Sequence, residues 1–161
     1  MESLNDQVME YTSLLKRGQI QKAYKGIMTM MTDLRTYLVF KYPDYSAGAL
    51  YFGYMDMTYF SFTPADLKKK NLKIAVVYLH EENRFEIWLA GSNRKIQAEY
   101  ISLLSKKNIG RYSLSQIQPG VDAIIAAIII EQPDFDDPAV LKRQIEVAVK
   151  EFAIDVAAMM D

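Results

Sequence analysis

Two stretches with helical periodicity open the chain. Apolar residues recur every three to four positions over residues 3–17 and again over residues 19–41, and this spacing predicts two amphipathic helices joined at Gly18. Pro43 has no amide hydrogen to donate and disfavours helical geometry at the residue before it. We therefore expect the second helix to end before the segment KYPDY, residues 41–45.

The pattern becomes strand-like in the middle of the chain. Residues 49–62 are rich in aromatic side chains with a short period, which predicts a first strand. Residues 72–80 are almost continuously apolar, as in a strand that is covered on both faces. The short connection EENR leads into FEIWLAG, so the second and third strands should form an antiparallel hairpin.

The last third of the chain predicts further helices and one more strand. Helical spacing recurs over residues 93–106, and residues 109–116 are consistent with a short fourth strand. Residues 121–131 have the spacing of a helix, although their isoleucine content would also suit a buried strand, and we favour the helix. Asp137 as an N-cap and Pro138 at the first helical position predict a long C-terminal helix.

Together these elements predict the fold class. We expect a single α+β domain over residues 1–161, with a mixed sheet of about four strands, two N-terminal helices, a crossing helix and a long C-terminal helix. A chain of 161 residues with 50% hydrophobic content is long enough for one core and too short for two separate ones.

The charge balance and the rare residue types exclude several classes of protein. Nineteen Lys and Arg against 20 Asp and Glu leave a net charge of −1, so no global field attracts nucleic acid or an anionic membrane. Residues 67–73 contain four lysines, which is typical of a solvated turn, with a phosphate-contacting patch as the alternative. The absence of cysteine and the single histidine argue against disulfides, thiol nucleophiles and multi-histidine metal sites.

The cellular context follows from what the sequence lacks. The N-terminus has neither the basic start nor the unbroken apolar core of a signal peptide, and the apolar run at residues 123–130 is too short to span a bilayer. We expect a soluble, cytoplasmic protein without a membrane partner. No motif specifies a cofactor, and the oligomeric state stays open.

The strand at residues 84–90 carries the most unusual side chains. Alternation places Arg84, Glu86 and Trp88 on one face and directs the intervening apolar residues into the core. An indole next to a carboxylate and a guanidinium can stack on planar or cationic groups. This face is either a salt-bridged strand surface under a Trp lid or the wall of a pocket.

Asp56 is a lone carboxylate in an aromatic segment, so it must be hydrogen-bonded, exposed or shifted in pKa. It pairs with Arg35 or Arg84, or it serves as a catalytic or ligand-binding carboxylate. We predict that Asp56 and Glu86 lie close together on one sheet face, where two carboxylates could hold a divalent cation, although their spacing does not require a metal. The predicted strand gives Asp56 four neighbours on its face, namely Phe52, Tyr54, Thr58 and Phe60.

His80 ends a strand immediately before an acidic turn, and we expect this histidine to be hydrogen-bonded to that turn. One histidine without a nucleophile elbow does not support a catalytic triad.

The segment AGSNRK, residues 90–95, joins a strand to the N-terminus of a helix. Such a junction has unpaired amides and partial positive charge. Arg94 and Lys95 oppose this dipole at a cost of about 0.3 to 1 kcal/mol each if exposed. Either carboxylates such as Glu86 or Glu99 neutralise them, or a small anionic ligand binds here beside Trp88. The predicted site for a phosphate-, sulfate- or carboxylate-sized group consists of Ser92, Asn93, Arg94 and Lys95.

Several segments resemble a known family. Residues 41–45, 53–62, 72–97 and 132–138 are similar to a bacterial family termed domain of unknown function 7000, and the resemblance covers nearly the whole chain. This resemblance implies no assigned activity and no catalytic residues.

A fainter resemblance concerns the order of elements. Helix, three strands, helix and strand is also the core order of the restriction-endonuclease-like group, known as PD-(D/E)xK, and it would make Asp56 and Glu86 acidic metal ligands. The expected Glu-x-Lys reads Glu86, Ile87, Trp88 here, and the missing lysine counts against phosphodiester hydrolysis. We therefore expect a binding or interaction module with a small anion pocket near Trp88, and a nucleic-acid-processing enzyme is the alternative.

Overall fold

The alternating segments pair into one sheet. In the computed structural model, which describes residues 2–160, five strands form an antiparallel sheet in the order in which they follow each other in the chain. The strands are β1 (Ser46–Ala47), β2 (Met57–Thr63), β3 (Leu72–Leu79), β4 (Arg84–Gly91) and β5 (Ala123–Glu131). The helices are α1 (Leu4–Lys16), α2 (Gln19–Lys41), α3 (Ala65–Lys69), α4 (Arg94–Leu104) and α5 (Pro138–Met160).

The predicted α+β class is confirmed, with two details corrected. The sheet has five strands instead of about four, and every pair is antiparallel, so it is not a mixed sheet. The two N-terminal helices meet at Gly18 and the second ends at Lys41, before Pro43, as predicted. The β3–β4 hairpin, the helix after β4 and the long C-terminal helix from Pro138 are also confirmed.

The core lies on one face of the sheet. Alternate residues of β2 and β4 are fully buried there, and α2 and α5 contribute Leu34, Leu38 and Phe152 to the same apolar cluster. The burial of these apolar side chains is the main favourable contribution to the stability of the fold. We call the opposite side the open face. Cross-strand register assigns to it Tyr59, Ser61, Lys73, Ala75, Glu86 and Trp88.

The helix that we expected over residues 121–131 is wrong. Ala123–Glu131 forms strand β5, which pairs with β4 so that Trp88 lies opposite Ala126. Five isoleucines in this nine-residue segment are β-branched, and such side chains lose rotamer freedom in a helix but pack well on a pleated surface. The spacing of the apolar residues was compatible with both a helix and a strand, and pairing with β4 selects the strand.

Two other predicted strands are also different in the structure. Residues 109–116 form a loop whose strand-like pairing with the sheet is limited to a single bridge between Leu114 and Ile125. The first long strand begins at Met57 and not near residue 49, because Gly53 and Met55 adopt left-handed backbone geometry before it. A Cβ on Gly53 would lie 1.9 Å from the carbonyl oxygen of Met57, so this turn requires glycine.

Candidate functional site

A cavity of about 410 Å³ lies between the open face and the N-terminus of α4. Small side chains at Ser61, Ala75 and Ala90 form much of its floor, and the larger rings of Tyr59 and Trp88 flank them. Its wall is formed by the turn after β4 and the first turn of α4, including Ser92, Asn93, Arg94 and Gln97. The depression exists because small residues on three adjacent strands lie beside two large aromatic ones.

Gly91 brings the helix close to the sheet. A Cβ at this position would lie 2.7 Å from the amide nitrogen of Gln97 and 3.0 Å from a methyl carbon of Ile96. The backbones of β4 and α4 therefore approach each other at a distance that only glycine permits. This close approach places the first turn of α4 at the edge of the cavity.

Glu86 explains why charged residues surround Trp88. It is buried on the open face, and its two carboxylate oxygens accept hydrogen bonds from different neighbours: Arg84 Nε at 2.6 Å and Trp88 Nε1 at 2.8 Å. The hydrogen bond to Glu86 raises the pKa of Arg84. These bonds fix the orientation of the indole, and its ring is part of the cavity lining.

The first turn of α4 is held by its own side chains. Asn93 caps the helix, because its Oδ1 accepts the amide of Ile96 at 2.9 Å. Gln97 is buried and donates to the carbonyl oxygens of Val121 and Ala123 at 3.0 and 3.1 Å, which ties α4 to the start of β5. The backbone amides of Arg94 and Lys95 are in the first turn of α4, where no carbonyl oxygen of the same helix can accept a hydrogen bond from them.

Asp122, and neither Glu86 nor Glu99, is the carboxylate that neutralises Arg94. Arg94 Nη2 lies 3.2 Å from Asp122 Oδ1, and its Nη1 donates to Gln97 Oε1 at 3.0 Å and to the carbonyl oxygen of Val121. Both partners of the ion pair are mostly exposed, at 54% and 72%, so their attraction is weak.

Two lysines near the cavity differ in position. Lys73 is part of the cavity lining and is exposed, and no carboxylate of residues 2–160 forms an ion pair with it. Lys95 is also exposed but does not line the cavity, so one member of the predicted anion site lies outside it. Ser92, Asn93 and Arg94 line the cavity together with Trp88.

The prediction that Asp56 shares a face with Glu86 is wrong. Asp56 is exposed and lies before β2, at a register position on the Thr58 side of the sheet, whereas Glu86 is on the open face. Its Oδ1 accepts the amide of Tyr54 at 2.9 Å, and hydrogen bonds from backbone amides lower its pKa. This arrangement excludes the cation site and the shared pocket that we predicted for the two carboxylates.

The two arginines proposed as partners of Asp56 bind elsewhere. Arg35 donates to the carbonyl oxygen of Gly48 at 2.7 Å, and Arg84 is paired with Glu86. Within the described part of the chain, no group of three or more His, Asp or Glu side chains could hold a metal ion.

His80 has a structural environment. Its Nε2 lies 2.8 Å from Thr58 Oγ1, and the ring of Tyr24 from α2 stacks on it with 6.0 Å between centroids. Burial lowers the pKa of His80, which favours the neutral ring. The predicted hydrogen bond to the turn is made by the backbone, since the His80 carbonyl oxygen accepts the Asn83 amide, while the ring contacts Thr58.

Sequence reasoning missed cavity residues on strands β2 and β3, among them Tyr59 and Ser61, and it considered Lys73 only as part of the lysine-rich segment at residues 67–73. The register of the β3–β4 hairpin places Ala75 opposite Trp88 and Lys73 opposite Ala90. The alternation of the hairpin was visible in the sequence and would have indicated Lys73. Tyr59 was missed because the side chains on the other face of its strand, those of Asp56, Thr58 and Phe60, were expected to face Glu86.

The fold and the cavity define a class of protein: an α+β domain whose antiparallel sheet carries its core on one face and a lined depression on the other. The chain belongs to the family described as domain of unknown function (DUF7000), which matches residues 4–160. No curated protein and no solved structure matches it. The helices within residues 2–160 include none that is long and apolar enough to cross a membrane.

Proposed function

We propose that this protein is a binding module that holds a small anionic ligand with a planar group in the cavity beside Trp88. The supporting observation is the cavity itself, which brings together an oriented indole, the ammonium of Lys73 and the guanidinium of Arg94. Its volume of about 410 Å³ lies within the roughly 300–1,000 Å³ that is usual for small-molecule pockets.

Each part of the lining favours a different part of such a ligand. The indole of Trp88 and the ring of Tyr59 offer apolar surface to a planar group. Lys73 and Arg94 supply positive charge, and the first-turn amides of α4 add hydrogen-bond donors with the dipole of the helix behind them. A carboxylate or phosphate attached to a planar ring matches both halves of the cavity.

Trp88 is the only tryptophan of the chain, so its fluorescence reports on this cavity alone. We expect a saturable change in its emission on titration with at least one planar anion from a panel of nucleoside monophosphates and aromatic carboxylates. Replacement of Lys73 by alanine should weaken binding about tenfold, because a charge-assisted hydrogen bond contributes about 1.5–3 kcal/mol before solvent screening.

Lys95→Ala is the matched control, because it removes the same charge from an exposed position outside the cavity. Its affinity should stay within about twofold of the wild type, since an exposed charge outside the contact contributes little. Absence of a saturable response across the panel, or equal losses in the Lys73 and Lys95 variants, would contradict the proposed function.

A further inference from the structure

A second depression adjoins the cavity beside Trp88. It has a volume of about 260 Å³, and its lining shares Ser61, Lys73 and Ser92 with the first cavity. The amide of Ser92 donates to the carbonyl oxygen of Asn71 at 3.0 Å, which joins the turn after β4 to the turn after α3. Because Lys73 borders both spaces, a ligand in the first cavity can extend into the second.

The lining of the second depression differs from that of the first. It contains the hydroxyl groups of Ser46, Ser61 and Thr63 and no aromatic ring, so it favours a polar group over a second planar one. Thr63 is only 3% exposed, and its Oγ1 accepts the amide of Ile74 at 3.1 Å. The hydrogen of this hydroxyl has no acceptor among the described residues 2–160, so it can donate to an oxygen of a ligand.

The second depression also carries positive charge without a matching carboxylate. Lys68 and Lys73 line it and are exposed, whereas no Asp or Glu of residues 2–160 belongs to its lining or forms an ion pair with either lysine. Lys68 Nζ donates to Ser46 Oγ at 3.1 Å, which holds the ammonium beside β1. Ammonium and hydroxyl donors around one space are suited to the oxygens of a phosphate group.

We propose that the second depression binds the terminal phosphate of a nucleoside diphosphate whose base lies in the first cavity. This inference rests on the proposed function, because it names a ligand class for the same site. The base lies against Trp88 and Tyr59. The first phosphate lies beside Lys73 and Arg94, and the second phosphate lies beside Lys68.

A diphosphate suits this arrangement better than other planar dianions. Its two phosphates share one bridging oxygen, so both can contact Lys73, which borders both spaces. An aromatic dicarboxylate keeps its second carboxylate close to the ring, whereas the second depression has no aromatic lining. The lysine-rich segment at residues 67–73 then contributes one lysine from α3 and one from β3 to the same ligand.

Titration of Trp88 fluorescence with adenosine and uridine mono- and diphosphates, in buffer free of divalent cations, tests the proposal. We expect the wild type to bind a diphosphate about fivefold more tightly than the matching monophosphate, because one further charge-assisted contact forms with an exposed lysine. In Lys68→Ala this preference should fall below about twofold. Lys68→Arg keeps the charge and should retain most of the preference.

Lys69→Ala is the matched control, because Lys69 is the next residue of α3, is exposed and lines neither depression. Its preference for the diphosphate should equal that of the wild type. Equal losses in the Lys68 and Lys69 alanine variants would overturn the proposal, since they would indicate general attraction to the lysine-rich segment.

Two further outcomes separate this proposal from the proposed function. Monophosphates that bind as tightly as diphosphates would overturn the diphosphate site and leave the anion site beside Trp88 supported. Failure of every nucleotide to bind would also overturn the diphosphate site, and saturable binding of an aromatic carboxylate would then still support the proposed function.

Discussion

Replacement of Glu146 by alanine is expected to lower the free energy of unfolding by about 3 kcal/mol, because a buried, hydrogen-bonded carboxylate is lost and its donors stay behind. Glu146 on α5 is only 6% exposed. It accepts hydrogen bonds from Tyr37 at 2.5 Å and from Tyr42, and it forms an ion pair with Lys41 at 2.8 Å. These bonds join the middle of α5 to the C-terminal end of α2.

Urea unfolding of Glu146→Ala at pH 7 measures this effect. Glu99→Ala is the control, since Glu99 is an exposed carboxylate on α4 and its removal should change the unfolding free energy by less than about 0.5 kcal/mol. A loss below about 1 kcal/mol for Glu146→Ala would show that the cluster between α2 and α5 adds little to the stability of the fold.

Acid should remove the contribution of Glu146 selectively. Burial by itself would raise the pKa of Glu146, but the hydrogen bonds from Lys41, Tyr37 and Tyr42 outweigh it and lower the pKa from 4.5 to about 2. Because the folded-state pKa is below the unfolded one, the stabilisation is complete above about pH 4.5 and decreases as the pH falls toward 2. Lys41 is half exposed, so solvent screening reduces the expected contribution to about 2 kcal/mol.

The comparison of wild type with Glu146→Gln isolates this carboxylate. Between pH 5 and 2.5 the wild type should lose about 2 kcal/mol more than the variant, because glutamine has no charge to lose in this range. Urea midpoints at several pH values in this interval provide the measurement. Parallel losses in both proteins would assign the acid sensitivity to other carboxylates.

Local patterns were sufficient for the helices and the hairpin. Gly18, Pro43 and Pro138 mark helix ends in the sequence, and the structure begins or ends helices at or next to each of them. The alternation in β4 correctly separated the core-facing residues from Arg84, Glu86 and Trp88 on the open face. These features depend on neighbours a few positions apart, which one sequence displays directly.

The wrong or missing predictions concern positions at which contacts between distant segments of the chain determine the structure. Residues 123–131 have both helical spacing and β-branched side chains, and the free edge of β4 selected the strand. Asp56 was assigned to the face of Glu86 because one sequence does not show strand pairing, which places Thr58 and Phe60 on the core side and Glu86 on the open face. Glu146 escaped notice altogether, since its hydrogen-bond partners Tyr37 and Tyr42 lie more than 100 positions away.

The residues of the candidate site also fall into two groups: those indicated by local sequence and those brought in by contacts between distant segments. Trp88, Ser92, Asn93 and Arg94 are close in sequence, so the strand-to-helix junction indicated their proximity, and they line one cavity. Lys73 and Tyr59 enter it through strand pairing, and Asp122 through the return of the chain to β5. That these residues bind an anion stays a prediction.

Amide chemical shifts in a ¹⁵N-labelled sample titrated with inorganic phosphate and then with sulfate test the central claim most directly, since they report on each backbone position separately. We predict saturable shifts at residues 91–95, at Lys73 and at the indole N–H of Trp88, with no comparable change at the exposed α1 helix. Unchanged shifts at all of these positions up to millimolar anion would contradict an anion site beside Trp88. The ion pair with Asp122 would then be sufficient to explain how the charge of Arg94 is neutralised.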